Sequence, residues 1–127
     1  MLYIVETAKD AETAVRDLEE AAKRNKFGVI SLLDLRQKMK EKGVEFAHAC
    51  KILEVCNPEQ ASRLLSHNIS ISTVLPCRIS VYEEDGHIKI ATMLPSAILS
   101  VFLSTGVLKP IAEEVESQII KIIDEAK

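Results

Sequence analysis

The dipeptide Asp85-Gly86 restricts this chain more than any other feature, because it stands between two alternating runs, Cys77 to Glu84 and His87 to Leu94. A two-residue type I′ hairpin needs positive φ at both central residues, and Asp-Gly meets that need at low steric cost. The turn fixes a register with Val81 opposite Ile90, Ile79 opposite Thr92 and Cys77 opposite Leu94. Apolar residues then share one face. Arg78, Ser80 and Tyr82 fall on the other with Lys89, Ala91 and Met93.

Upstream, a short apolar strand at Leu2–Val5 precedes a helix that Thr7 or Asp10 can cap. Ala11, Ala14, Val15, Leu18, Ala21 and Ala22 give that helix one apolar face, and Asn25-Lys26 ends it. Phe27–Leu33 is nearly continuously apolar, which predicts a strand at an inner position or buried on both faces. Asp34 caps a short basic helix, Leu35–Lys42, closed by Gly43. Its run of Arg36, Lys38, Lys40 and Lys42 reads as a solvated face.

Phe46–Cys56 is predicted as the third strand, with Phe46, His48, Cys50, Ile52 and Glu54 on one side and Ala47, Ala49, Lys51, Leu53 and Val55 on the other. Neither side is polar enough to identify the core. Asn57-Pro58-Glu59-Gln60 starts the next helix: Asn57 suits the N-cap, Pro58 the first turn, and Gln60 can complete a capping box. Ala61, Leu64 and Leu65 supply its buried face. After the hairpin, Pro95 opens a helical stretch over Ser96–Leu103 that Gly106 breaks. Pro110 starts a last helix with Ile111, Ala112, Val115, Ile119, Ile122, Ile123 and Ala126 inward.

The order β-α-β-α-β-α-β-β-α-α predicts an α+β fold, a two-layer sandwich in which a mostly antiparallel five-stranded sheet carries helices on one face. Its 127 residues are read as one domain, a core over 1–95 and a helical C-terminal extension over 96–127.

A net charge of −3, with acidic and basic residues interleaved, offers no stripe for nucleic acid. Three cysteines, none in a C-x-x-C spacing, argue against a disulfide framework and for a reducing compartment. The opening Met-Leu-Tyr-Ile-Val is too short for a signal peptide, and Met93–Leu103 is too interrupted to span a bilayer. A cytoplasmic protein with no membrane association is the expectation. No glycine-rich phosphate loop is present and no cofactor is implied.

Candidate chemistry centres on sulfur. Cys56 ends a strand just before a helix N-terminus, where the dipole would favour a thiolate, and Asn57 lies beside it. Cys77 begins the next strand. If those strands are neighbours, the thiols form a pair suited to redox, persulfide or soft-metal chemistry; otherwise both are small buried hydrophobes. Arg78 and Tyr82, sharing a sheet face with Ser80 and Lys89, can line a small anionic pocket or a dimer-facing surface. His48 and Cys50 share a strand face but lack the third ligand a metal site needs. His67 is a helix-end residue and His87 a solvated turn residue.

The run Lys51-Ile52-Leu53-Glu54-Val55-Cys56-Asn57-Pro58, then Ala61, Leu64-Leu65, Leu75-Pro76-Cys77 and Val81-Tyr82-Glu83 before Asp85-Gly86, resembles domain-of-unknown-function family 302. Phe27-Gly28-Val29 and Asp34-Leu35 also match, so the resemblance covers roughly residues 3 to 97. It implies an α+β fold, small soluble or secreted proteins and homodimers, and no established activity. The segment Ser96–Lys127 is expected to lie outside the common domain. Two functions follow as expectations: a module that binds a small ligand or uses thiols at Cys56 and Cys77, and a non-catalytic interaction module acting as a homodimer.

Overall fold

A computed structural model describes residues 1–102 and 106–127 of the chain. Its centre is the hairpin of β4 (Cys77–Glu84) and β5 (His87–Met93). Asp85 and Gly86 take φ values of 53° and 78°, as a type I′ turn requires, and Val81 pairs with Ile90. β1 (Leu2–Thr7), β2 (Gly28–Asp34) and β3 (Cys50–Cys56) complete a five-stranded sheet in the order β1-β5-β4-β3-β2. Every pairing is antiparallel.

The helices are α1 (Ala11–Arg24), α2 (Leu35–Glu41), α3 (Pro58–His67), α4 (Pro95–Ile98) and α5 (Leu108–Ala126), with 3-10 turns at Ile69–Val74 and Leu99–Phe102. The predicted element order and the α+β sandwich are therefore correct. Asp10, rather than Thr7, caps α1 by accepting a hydrogen bond from the Thr13 N–H. The apolar stripe of α1 and that of α5 lie against the sheet face formed by Leu53, Val55, Ile79, Val81 and Ile90, all of them fully buried or nearly so. Each such side chain stabilises the fold by roughly 1.5–3 kcal/mol relative to exposure.

A second cluster forms beside the first. Leu64 of α3, Ile71 and Leu99 of the 3-10 turns, and Leu108, Ile111 and Ala112 of α5 pack together. α5 serves both clusters, its first turns in this one and Val115 to Ala126 in the main one. Lys9 ties the start of α1 to the end of α5, donating to the Asp17 carboxylate at 2.6 Å and to the Ala126 carbonyl at 2.7 Å.

Three expectations need correction. β2 is an edge strand, neither inner nor buried on both faces: its apolar side chains are half-buried at most, and a register shift between Val29 and Ser31 leaves Ile30 unpaired and 63% exposed. β3 begins at Cys50 rather than Phe46. Its neighbours run out there: β4 reaches the hairpin turn just beyond Glu83, whose N–H bonds to the Ala49 carbonyl, and β2 gives way to α2 at Asp34. α5 starts at Leu108, before Pro110, because the missing N–H of a residue in the first turn has no intrahelical partner to lose. Leu103, the last residue of the stretch predicted as helical, lies outside the described residues.

Candidate functional site

The Asn57-Pro58 start of α3 forms as its residue types dictate. Asn57 Oδ1 accepts a hydrogen bond from the Gln60 N–H at 3.2 Å, and Pro58 occupies the first turn. The other half of the expected capping box is absent. The Gln60 side chain does not return to the Asn57 N–H; the residue is only 5% exposed, and its Oε1 is sealed from solvent with no hydrogen-bond partner. Such an atom carries the cost of lost hydration with nothing in return, about 1–3 kcal/mol.

Gln60 lies in the wall of a cavity of about 270 Å³. Phe27, Val55, Cys77 and Val115, from the main core and its margin, form one side, and Leu64, Leu65 and Leu75, from the second cluster, form the other. The cavity therefore sits at the seam between the two. Cys56 and Asn57 complete the wall near the mouth of α3. Cys77 pairs with Val55 across the β3–β4 ladder, so Cys56 is one residue out of register with it. Adjacent strands thus bring both thiols to one cavity, as free cysteines.

Their expected reactivity is not what this environment favours. Burial pushes the Cys56 thiol up from its ordinary range. Burial pushes Cys77 up to about 11, with the proximity of Cys56 adding to the effect. Burial sets the direction at Cys56, and the helix that follows begins with a proline that has no N–H to offer. The lowered thiol pKa that the sequence suggested is corrected to a raised one, and both groups stay protonated near neutrality.

Arg78 and Tyr82 stand elsewhere, on the sheet face opposite α1 and α5. Pairing lays out its rows: Ile4, Ala91, Ser80, Ile52 and Leu33 across all five strands, then Glu6, Lys89, Tyr82 and Cys50 across four. Arg78 Nε lies 3.6 Å from Glu54 of β3. His48 is in the loop before β3, 3.7 Å from Glu83, and does not share a strand face with Cys50 as expected, although both border one surface depression with Tyr82. The Cys50 thiol is also pushed up, chiefly by burial, then by Asp34 and against a hydrogen bond with Ser80. Among the described residues no cluster of three His, Cys, Asp or Glu side chains could hold a metal ion. His67 and His87 are exposed.

Of the residues singled out from sequence, the fold brings Cys56, Asn57 and Cys77 to one cavity and leaves Arg78, Tyr82, His48 and Cys50 apart from it. Gln60 was read as a cap and missed as a wall residue. The available signal was its spacing, four residues before Leu64 and so on the buried stripe of α3.

No curated protein matches the chain. A solved structure described as an uncharacterized conserved protein DUF302 from Bacillus stearothermophilus is similar to it at a TM-score of 0.93 and 32% identity, covering 99% of this chain and 98% of that one. The family described as domain of unknown function DUF302 matches residues 3–126, so the region from 96 onward lies within the family's span and not outside it. With its sequence matched almost from end to end and its fold shared with a solved member, the chain belongs to the DUF302 family.

Proposed function

We propose that this protein binds a small, largely apolar molecule in the cavity between its two hydrophobic clusters. The observation that carries the reading is the cavity itself, about 270 Å³ of space at the seam, walled mainly by apolar side chains with Asn57 and Gln60 among them. A preformed, largely apolar cavity with a few polar groups in its wall is the usual form of a small-molecule site. Thiol chemistry at Cys56 and Cys77 is the weaker use of the site, because burial keeps both sulfurs protonated. Unpaired thiols fit a reducing, cytoplasmic setting. Among the described residues no helix is long and apolar enough to cross a membrane.

The test is a methyl-detected NMR titration with indole. Shifts concentrated on Leu64, Leu65, Leu75 and Val115, and lost when the cavity is filled by Ala61→Leu, are expected. An unchanged spectrum at millimolar indole would overturn the reading.

A second function rests on the opposite sheet face. Leu2, Ile4 and Met93 are 60%, 47% and 47% exposed there, and Leu2 pairs with Met93 and Ile4 with Ala91 on adjoining strands. That apolar margin supports homodimer formation through the uncovered face. Sedimentation equilibrium should find a dimer at micromolar concentration and a folded monomer for Ile4→Lys. A wild-type monomer would remove the idea.

A further inference from the structure

Resting on the cavity read above as a ligand site, we infer that Cys56 and Cys77 together take a monosubstituted arsenic(III) compound, R–As(OH)2, as a bis-thiolate whose apolar group R lies in that cavity. Three observations select this class: two sulfurs at one place, no charge around them, and apolar volume beside them.

The sulfurs are brought together by the sheet. Val55 pairs with Cys77 across β3 and β4, and Cys56 follows Val55 as the last residue of its strand. Strand spacing and rise put the two Cα atoms on the order of 6 Å apart, a separation that cysteines linked through their sulfurs commonly show. Alternation alone would send the side chains to opposite faces, but Cys56 stands where the strand ends, and both residues border the cavity. Both are free and neither is fully buried. Cys50, the third free cysteine, borders a different depression.

The surroundings narrow the choice of partner atom. Among the described residues no third metal-ligating side chain joins the pair, so the four ligands of a structural zinc are not to hand. None of the residues lining the cavity carries a formal charge at neutral pH. A monovalent ion held by two thiolates would leave one negative charge there without a counter-ion, which is costly to bury. Arsenic(III) with one carbon substituent takes two sulfurs and forms a neutral product. Its third bond carries R, and the cavity of about 270 Å³ has room for it, since about 150 Å³ of apolar space holds benzene.

The reaction is a condensation without electron transfer. Two As–O bonds break and two As–S bonds form, and each hydroxide leaves as water with the proton of one thiol. Arsenic stays trivalent. The protonated state that burial imposes, a handicap for nucleophilic or redox use, is here the reactant.

Phenylarsine oxide added to the full chain tests this by intact mass under non-denaturing conditions. A one-to-one product is expected, lighter by one water than a simple adduct, because both thiols have condensed. It should persist in about a hundredfold excess of 2-mercaptoethanol and be stripped by 2,3-dimercaptopropanol, since two linked sulfurs outcompete separate ones. Cys56→Ala or Cys77→Ala should weaken binding at least about tenfold, and Cys50→Ala should leave it unchanged. The methyl groups of Leu64, Leu65, Leu75 and Val115 should shift in the product. A product that retains the water, or one lost with Cys50 alone, would overturn the pairing of Cys56 with Cys77, and unshifted cavity methyl groups would overturn the seating of R. No product in a chain that still responds to indole would overturn the inference and leave the cavity as a binding site. No response to either probe would overturn both.

Discussion

Gln60 is where local rules and tertiary packing part company. At the third position of a helix capped by Asn57, the residue type calls for a side chain that folds back to the cap; on the buried stripe with Leu64, the same position calls for an apolar one. Sequence made the first role legible because capping is a four-residue pattern, and hid the second because burial depends on segments far along the chain. The two roles give opposite signs on substitution. Gln60→Met is expected to stabilise the unliganded protein by about 1 kcal/mol in urea denaturation, whereas a working capping box would make it destabilising by a similar amount. The thiols repeat the lesson. Proximity of Cys56 to a helix start was readable, but the desolvation that dominates its titration was not. For Cys77, with a native pKa of about 11 against an ordinary 9.0, the unfolded chain loses its proton first as pH rises. The native state then holds the extra proton, so stability is full below pH 9 and falls between pH 9 and about 11, by roughly 2 kcal/mol. Cys77→Ala should flatten that alkaline slope in denaturation curves measured at several pH values, and an unchanged slope would assign the loss to other groups. At pH 7.5, iodoacetamide should modify Cys77 on the order of a hundredfold more slowly than a free thiol.

Among the elements, those defined by contiguous chemistry were the readable ones. Asp85-Gly86 gave the hairpin with its register, Asp10 and Asn57 gave two helix starts, and the alternation of β4 separated Ile79 and Val81 from Ser80 and Tyr82. Gly86→Ala places a side chain at a φ of 78° and is expected to cost about 1 kcal/mol by thermal or urea unfolding. What sequence could not reveal was where a strand loses its partners. Phe46 and His48 continue the alternation of β3, yet β4 has turned and β2 has become α2 before reaching them. The same blindness put β2 inside the sheet or under cover on both faces, since an apolar run looks the same along the chain whether or not a second strand lies beside it.

At the level of the molecule, the last helix changes status most. Sequence treated residues 96 to 127 as an appendage, whereas α5 places Ile119, Ile122 and Ile123 at full burial in the main core and Leu108 and Ile111 in the second cluster. Removing that segment should therefore abolish cooperative unfolding and native-like circular dichroism. A truncated chain that still melted sharply would show the sheet and α1 to be self-sufficient. The seam that the two clusters share is also the wall of the cavity, so an occupant would touch both at once and raise the midpoint of a single thermal transition.

β1 has one partner in the sheet, and it is β5: Leu2 aligns with Met93. During synthesis β1 must therefore wait, apolar and unpaired, while every element between it and β5 is made. At about 5–20 residues per second that interval lasts seconds, long compared with the formation of α1 or of the hairpin. The sheet can be completed only late, when β5 arrives to receive β1, and until then Leu2 to Thr7 is the stretch that a chaperone would find.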